Sequence, residues 1–528
     1  MYIRKLTSLV CPRVGQAEAV TPYGTFRGIL SEGTYVFRGI EYAAAKRFHA
    51  PEKPAAFQGI KEAIVYGNAC PEPFTVVPHD QYTVPHYFTV QSQDCLYLNI
   101  WTQHINEPEA KRPVMVWFHG GGMTTGSGVE HYAYDGEEAS RFNDVVVVTL
   151  NHRLNVLGFL DLSAYGEEYK DSGNAGLLDL ISALEWVRDN IGAFGGDPEN
   201  VMIFGQSGGG GKVCSMLQSK RAAGLFKRAV LQSGGMRRGA DQTKEQSRKL
   251  AAYVLEELGI VPENIKEIET VWYDRLSEAA ARAQARISAE NGGKRVMFGP
   301  VVDNDIYCGH PFNVGFIEET KDVAVLCGNV YGEFMQNFNF PKGEGMKGRW
   351  TEAYAYEMVK DEYGEKTEKV TAAFKKAYPE RPVQDVLFMD IGMRNGAYDF
   401  ALLRAKESGA PCYNFLFNLE SPLNGGTLPW HNAEIPYIFH NAVYLEPSFA
   451  AGTTGPLQDL ISRAWANFAA CGNPNGGIVS GWEAFTPDKR CTMIFDRECR
   501  MEADHDAELR RVLPPRQISI SMLLGKKK

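Results

Sequence analysis

Val201-Met202-Ile203-Phe204-Gly205-Gln206-Ser207-Gly208-Gly209-Gly210 sets four apolar residues before a serine framed by glycines. A segment readable as a helix, Gly211 to Leu217, follows directly. Strand, sharp turn and helix in that order expose a serine hydroxyl at the end of a sheet, the geometry of a nucleophile elbow. A serine attacks only when its hydroxyl is exposed, aimed and relieved of its proton, and this turn supplies the first two conditions. Gly205 and Gly209 lack a Cβ, so strand and helix can approach closely around a strained residue.

Working outward, the neighbouring runs predict a sheet. Tyr97–Trp101, Val114–Phe118 and Val145–Leu150 are β-rich, and the last two are almost continuously apolar, as strands covered on both faces are. Leu177, Leu180, Ile181, Leu184, Val187 and Ile191 recur at helical spacing, which predicts an amphipathic helix ending before Gly192 and a turn at Gly195-Gly196-Asp197-Pro198. Further strands are expected at Arg228–Gln232, Asp322–Cys327 and Cys412–Phe417, with short antiparallel strands between Thr21 and Ala44 and a last helix over Leu457–Cys471. Two charged, Ala/Leu/Glu-rich blocks, about 241–291 and 350–408, read as helical insertions, the first placed to cap a substrate site. The whole, 1–528, is expected to be one α/β domain with a mostly parallel central sheet flanked by helices.

Composition narrows the function. A net charge of −9 argues against a general nucleic-acid binder. No apolar run reaches the length of a membrane span, and the first ten residues have no signal-peptide core, so a cytoplasmic protein is expected. The ten cysteines show neither C-x-x-C pairs nor zinc-ligand spacing, so most are expected as free buried thiols. Cys70 and Cys95 bound a long Pro- and aromatic-rich loop that reads as a functional rim. Nothing in the sequence sets the oligomeric state.

The serine needs a base, an acid to orient that base, and donors for an oxyanion. Active sites of open α/β sheets gather at the carboxyl ends of strands, which restricts the search. After the strand ending at Cys327 comes Gly328-Asn329-Val330-Tyr331-Gly332-Glu333, and after the strand ending at Phe417 comes a loop to Leu428-Pro429-Trp430-His431. The order Ser207, Glu333, His431 is that of a serine, acid and histidine triad on such a sheet. Asp303, Asp305 and Glu434 stay open as alternatives for the acid, whereas His119, His152, His310 and His440 are expected to be structural. Phe118-His119-Gly120-Gly121-Gly122 follows a buried strand, and bare glycine N–H groups there suit a developing negative oxygen. Gly121, Gly122 and Gly208 are the expected donors.

These residues resemble the type-B carboxylesterases, the α/β-hydrolase family that includes para-nitrobenzyl esterases and cholinesterases. The matching stretches run nearly end to end: Phe37-Arg38-Gly39-Ile40, Asp94-Cys95-Leu96-Tyr97-Leu98-Asn99, His119 to Gly122, Asn151-His152-Arg153-Leu154, Gly158-Phe159-Leu160, Gly173 to Asp179, Ala193 to Pro198 and Gly472-Asn473-Pro474. The resemblance implies a gorge, ester hydrolysis through an acyl-enzyme without metal or organic cofactor, Ser207 as nucleophile, His431 as base and Glu333 as acid. It also matches the Cys70 to Cys95 segment with the family's cysteine-bounded rim loop. Three departures stand out: Gln206 replaces the glutamate usual beside the serine, Gly332 and Phe334 replace the residues around the acid, and no tryptophan lies between Cys70 and Cys95 to hold a quaternary ammonium. The expected activity is a serine carboxylesterase on uncharged or weakly polar small-molecule esters, with aromatic residues of the rim loop, Trp430, Phe334 and Phe338 around them. The alternatives are a non-catalytic neuroligin-like binding protein, or the same machinery turned on amides, carbamates or lactones.

Overall fold

The computed structural model describes residues 17–73, 87, 89–334, 350–423 and 426–514. Its main sheet has eleven strands: β1 Ile29–Ser31, β2 Thr34–Glu41, β3 Tyr97–Thr102, β4 Arg112–Phe118, β5 Val146–Leu150, β6 Gly196–Gln206, β7 Arg228–Gln232, β8 Ala324–Val330, β9 Cys412–Phe417, β10 Cys491–Phe495 and β11 Arg500–Ala503. They lie side by side in the order β11-β10-β9-β8-β7-β6-β4-β5-β3-β2-β1. Every pair from β5 across to β10 is parallel, and the pairs outside that block are antiparallel. A separate small sheet joins Glu18–Thr21, Gly24–Arg27 and Ile60–Glu62.

The parallel strands carry the runs richest in apolar residues, because helices cover both of their faces. All residues of β5, β8 and β9 are buried. Parallel strands share one carboxyl edge, so the loops leaving β4, β6, β7, β8 and β9 emerge together there, and those loops carry His119, Ser207, Ser233, Glu333 and His431 in turn.

Helix α1, Ala175–Asn190, buries far more than one face, with Ala175, Leu178, Ala183 and Trp186 inside as well as the residues at helical spacing. The expected amphipathic stripe is therefore a helix packed nearly all round, sandwiched between the sheet and the segments outside it. Helix α2, Gly208–Leu217, starts immediately after Ser207, three residues earlier than its sequence pattern indicates. The insertion at 241–291 holds α3, Lys244–Leu258, and α4, Tyr273–Glu290; the block at 350–408 holds α5, Glu352–Tyr363, α6, Thr367–Ala377, and α7, Ile391–Glu407. A last long helix, α8, spans Thr454–Cys471.

Three further corrections follow from pairing rather than composition. Strand β6 begins at Gly196, inside the expected turn, because Gly196 pairs with Arg112 at the start of β4. Strand β8 runs on through Gly328, Asn329 and Val330, which bond along β9 and so lie in the ladder rather than in a loop. The strands β10 and β11 have no counterpart in the expectations; Cys491–Phe495 is a short apolar run that only its seat beside β9 identifies as a strand.

Candidate active site

Ser207 sits between β6 and α2 with φ 58° and ψ −121°, a left-handed backbone that costs an ordinary residue on the order of 1–3 kcal/mol and is held by its surroundings. Its N–H donates to the Gln232 carbonyl at the end of β7, 2.8 Å away. The approach of the helix to the preceding strands leaves no room for side chains: a Cβ on Gly209 would lie 1.9 Å from the Phe118 carbonyl oxygen. A Cβ on Gly208 would lie 2.3 Å from the Gly122 nitrogen, so the first turn of α2 and the glycine loop after β4 are in backbone contact.

That glycine loop bends through positive φ at Gly121 (82°) and Gly122 (66°). The Gly121 carbonyl turns back to accept from the Thr125 N–H at 3.0 Å, and no described residue accepts from the N–H of Gly121 or Gly122. The Gly208 N–H belongs to the first turn of α2, where no intrahelical acceptor exists. Three backbone donors are thereby gathered next to the serine.

The imidazole of His431 presents Nδ1 to the Glu333 carboxylate in a short hydrogen bond, and both side chains are buried. The two loops run side by side, Glu333 bridging Trp430 in parallel fashion. Glu333 also accepts from the Val330 N–H at 3.1 Å. Burial, and then the nearby Asp390 carboxylate, push Glu333 well above the usual carboxylate range, while the Ser233 hydroxyl, the Val330 N–H and the Arg237 guanidinium favour its charged form. Phe334 lies over the His431 ring with centroids 3.9 Å apart. Among the acids left open by the sequence, Asp303 caps a turn by accepting from the N–H groups of Asp305 and Tyr307, and Asp305 pairs with Arg221 at the surface.

Glu434 faces the same region without touching the imidazole bond. It is buried, accepts from Gln232 Nε2 at 3.1 Å, and its other oxygen has no hydrogen-bond partner among the described residues. Burial, and then the Glu333 charge, push it up to about 8. It therefore holds its proton in the fold where an unfolded chain has lost it. The resulting stabilisation is complete below pH 4.5 and disappears as pH rises through about 8. Glu434→Gln is expected to match the wild type in urea unfolding near pH 5 and to exceed it, by on the order of 1–3 kcal/mol, near pH 9. Equal pH dependence in the two proteins would show that Glu434 is ionised in the fold.

Two residues organise the surroundings: Gln206, whose partners the sequence left open, and Lys212, which sequence reasoning passed over. Gln206 donates from Nε2 to the His431 carbonyl, tying the residue before the serine to the histidine loop. A glutamate there would face that carbonyl with an acceptor. Lys212 is completely buried in α2 and donates to the His119 carbonyl at 2.9 Å, at the root of the glycine loop. Burial lowers its pKa to about 7 against the pull of Glu130, Cys70 and Glu72. His119 Nδ1 in turn bonds the Gly120 carbonyl at 2.9 Å, the other half of the peptide whose N–H is that of Gly121. Lys212 is the only charged residue of α2, and that isolation in a small-residue helix is the signal that could have found it.

Beside the glycine loop opens a cavity of about 610 Å³, lined by Gly122, Met123, Arg237, Gln242, Arg295 and Phe298 among others. Its wall includes Gln242 and Gln246 from the start of the 241–291 block, the insertion expected to cap the site. Trp430 is instead buried in the core beside β9 and lines no part of this cavity, and Phe338 and most of the rim-loop aromatics fall outside the described residues. Cys70 and Cys95 are both free and buried, and the neighbouring Cys70 thiol together with burial pushes the Cys95 thiol well above its usual value. Among the described residues no group of three His, Cys, Asp or Glu is arranged to hold a metal ion, and no helix is long and apolar enough to cross a membrane.

Residues 16–510 match the model of the carboxylesterase family. The chain is 33% identical over 504 residues to the para-nitrobenzyl esterase of Bacillus subtilis, covering 94% of this chain and 98% of that protein. It is 30% identical to the phenmedipham hydrolase of Pseudarthrobacter oxydans, covering 96% and 99%. Among solved structures, an esterase from the anaerobe Clostridium hathewayi that can hydrolyse aliphatic aromatic polyesters superposes with a TM-score of 0.87 at 39% identity, covering 94% of this chain and 98% of that one. Fold, glycine loop and end-to-end similarity agree: this chain belongs to the carboxylesterase family, α/β-hydrolases that are serine carboxylic ester hydrolases.

Proposed function

We propose that the protein hydrolyses small-molecule carboxylic esters through an acyl-enzyme on Ser207. Ser207 Oγ attacks the ester carbonyl while His431 Nε2 takes its proton, and the carbonyl oxygen, now negative, is held by the N–H groups of Gly121, Gly122 and Gly208. The tetrahedral intermediate collapses, the C–O bond to the alcohol breaks, and His431 returns the proton to the departing alkoxide. Water then attacks the acyl-enzyme, gives a proton to His431, and the acid leaves as Ser207 recovers that proton. Glu333 fixes the imidazole with its proton on Nδ1 and stabilises the imidazolium.

The observation that carries this reading is the buried Glu333–His431 hydrogen bond at the same strand edge as a serine in left-handed backbone conformation. A neuroligin-like binding role is not favoured, because relatives spanning almost the whole chain are hydrolases. A cytoplasmic location belongs to the proposal; it is supported by the free thiols of all nine described cysteines, including the neighbouring Cys70 and Cys95. A fluorophosphonate probe is expected to label Ser207 stoichiometrically and to abolish hydrolysis of a short-chain nitrophenyl ester. Labelling at another residue, or hydrolysis that persists after full labelling, would reject the assignment.

A further inference from the structure

The cavity beside the glycine loop carries a charge opposite to that of the molecule. The chain as a whole has a net charge of −9, yet the charged residues lining this cavity are three cations, Arg237, Lys294 and Arg295, and one acid, Asp241. Asp241 is already engaged: its carboxylate accepts from the Tyr307 hydroxyl at 2.9 Å, the His310 N–H at 2.9 Å and the Asn313 amide at 2.8 Å. The three cations make no ion pair with any described residue, in contrast to Arg238, which lies over the Phe312 ring and reaches Asp399. Of the other titratable lining residues, His310 has its pKa lowered by burial and adds no positive charge near neutral pH, and burial raises the Tyr307 phenol so that it adds no negative charge.

Arg237 connects this field to the reacting end. Its aliphatic stem runs past Gly396 of α7, and its guanidinium acts on both Glu333 and Asp390. Gly122 lines the same cavity, so the three cations, all exposed to solvent, share it with one of the backbone donors placed for the ester oxygen. Met123, Met297 and Phe298 supply apolar wall. An apolar chamber with cations in its lining recognises a chain with an ester at one end and an anion at the other. Guanidinium groups match a carboxylate through paired N–H donors.

Building on the esterase reading, we propose that this cavity selects esters whose non-reacting end carries a carboxylate, such as monoesters of dicarboxylic acids. This extends the expected range beyond uncharged esters, and it disfavours esters with a cationic tail.

The test compares three ethyl esters of matched length by titrating released acid: monoethyl adipate (anionic tail), ethyl hexanoate (neutral) and ethyl 6-aminohexanoate (cationic). At low ionic strength kcat/KM should fall in that order, with monoethyl adipate preferred over ethyl hexanoate by roughly tenfold. The preference should shrink toward one in about 0.5 M salt, where the screening length drops to a few ångströms. The Lys294→Gln/Arg295→Gln pair should reduce the adipate to hexanoate ratio several-fold, mainly through KM for the charged ester, and Arg237→Gln should reduce the same ratio while also lowering kcat for both esters, because its guanidinium acts on Glu333. A ratio at or below one in the wild type at low salt, or a ratio unmoved by both variants, overturns the proposal. Failure to hydrolyse any of the three esters would instead remove the esterase reading beneath it, so the two failures are told apart.

Discussion

Ser207→Ala is expected to lower kcat for a short-chain nitrophenyl ester by about 10³-fold or more, leaving only binding and the backbone donors to act on the substrate. The substitution removes one oxygen and keeps the Cβ, so the backbone at φ 58° stays as constrained as before. The turn is held from outside the side chain, by the Ser207 N–H bond to Gln232 and by the packing of α2 against β4 and β6, and none of this involves the hydroxyl. The thermal midpoint should accordingly move by no more than a few degrees. Activity within tenfold of wild type would identify a different nucleophile, and loss of activity accompanied by unfolding would be uninformative about chemistry, which is why both are measured on one preparation.

Glu333→Gln is the second large effect. The amide is nearly isosteric and keeps an oxygen for the Val330 N–H, but when it presents its NH2 to His431 it favours the tautomer with the proton on the wrong nitrogen. A fall of about 10³ to 10⁴ in kcat is expected, with KM little changed, because the interaction matters chiefly when the imidazole is charged in the transition state. Stability should move the other way. Burial raises the Glu333 pKa, so ionising it in the fold costs free energy that rises with pH, and a neutral amide escapes this cost. The variant is thus expected to be at least as stable as wild type above neutral pH while nearly inactive. A variant that loses stability and activity together would mark Glu333 as a structural residue only.

How far the sequence reaches can be judged from particular residues. The elbow around Ser207 and the glycine loop at 120–122 are legible because each is a local event: a strand, a turn requiring positive φ, and a helix lie within a dozen residues. Nearly continuous apolar runs such as Val146–Leu150 disclose strands because burial on both faces leaves few polar positions. Strand β10 escapes the same logic, since a five-residue run with four apolar residues describes a buried strand or a core helix equally well. The stripe on α1 misleads in the opposite sense, because periodic large residues mark one face and do not disclose that the small residues between them are buried too.

Roles that depend on distant partners are read only from the folded chain. The amino-acid order by itself determined the fold class, the elbow serine, the bare-amide loop and a short set of acids and bases, since those follow from backbone requirements written within single segments. Which acid meets His431, what the glutamine before the serine bonds, where a buried lysine braces the glycine loop and how three cations line one chamber were decided by tertiary structure. The bonds and cavities involved join residues tens to hundreds of positions apart, and burial, which sets their charge and strength, is a property of the packed molecule.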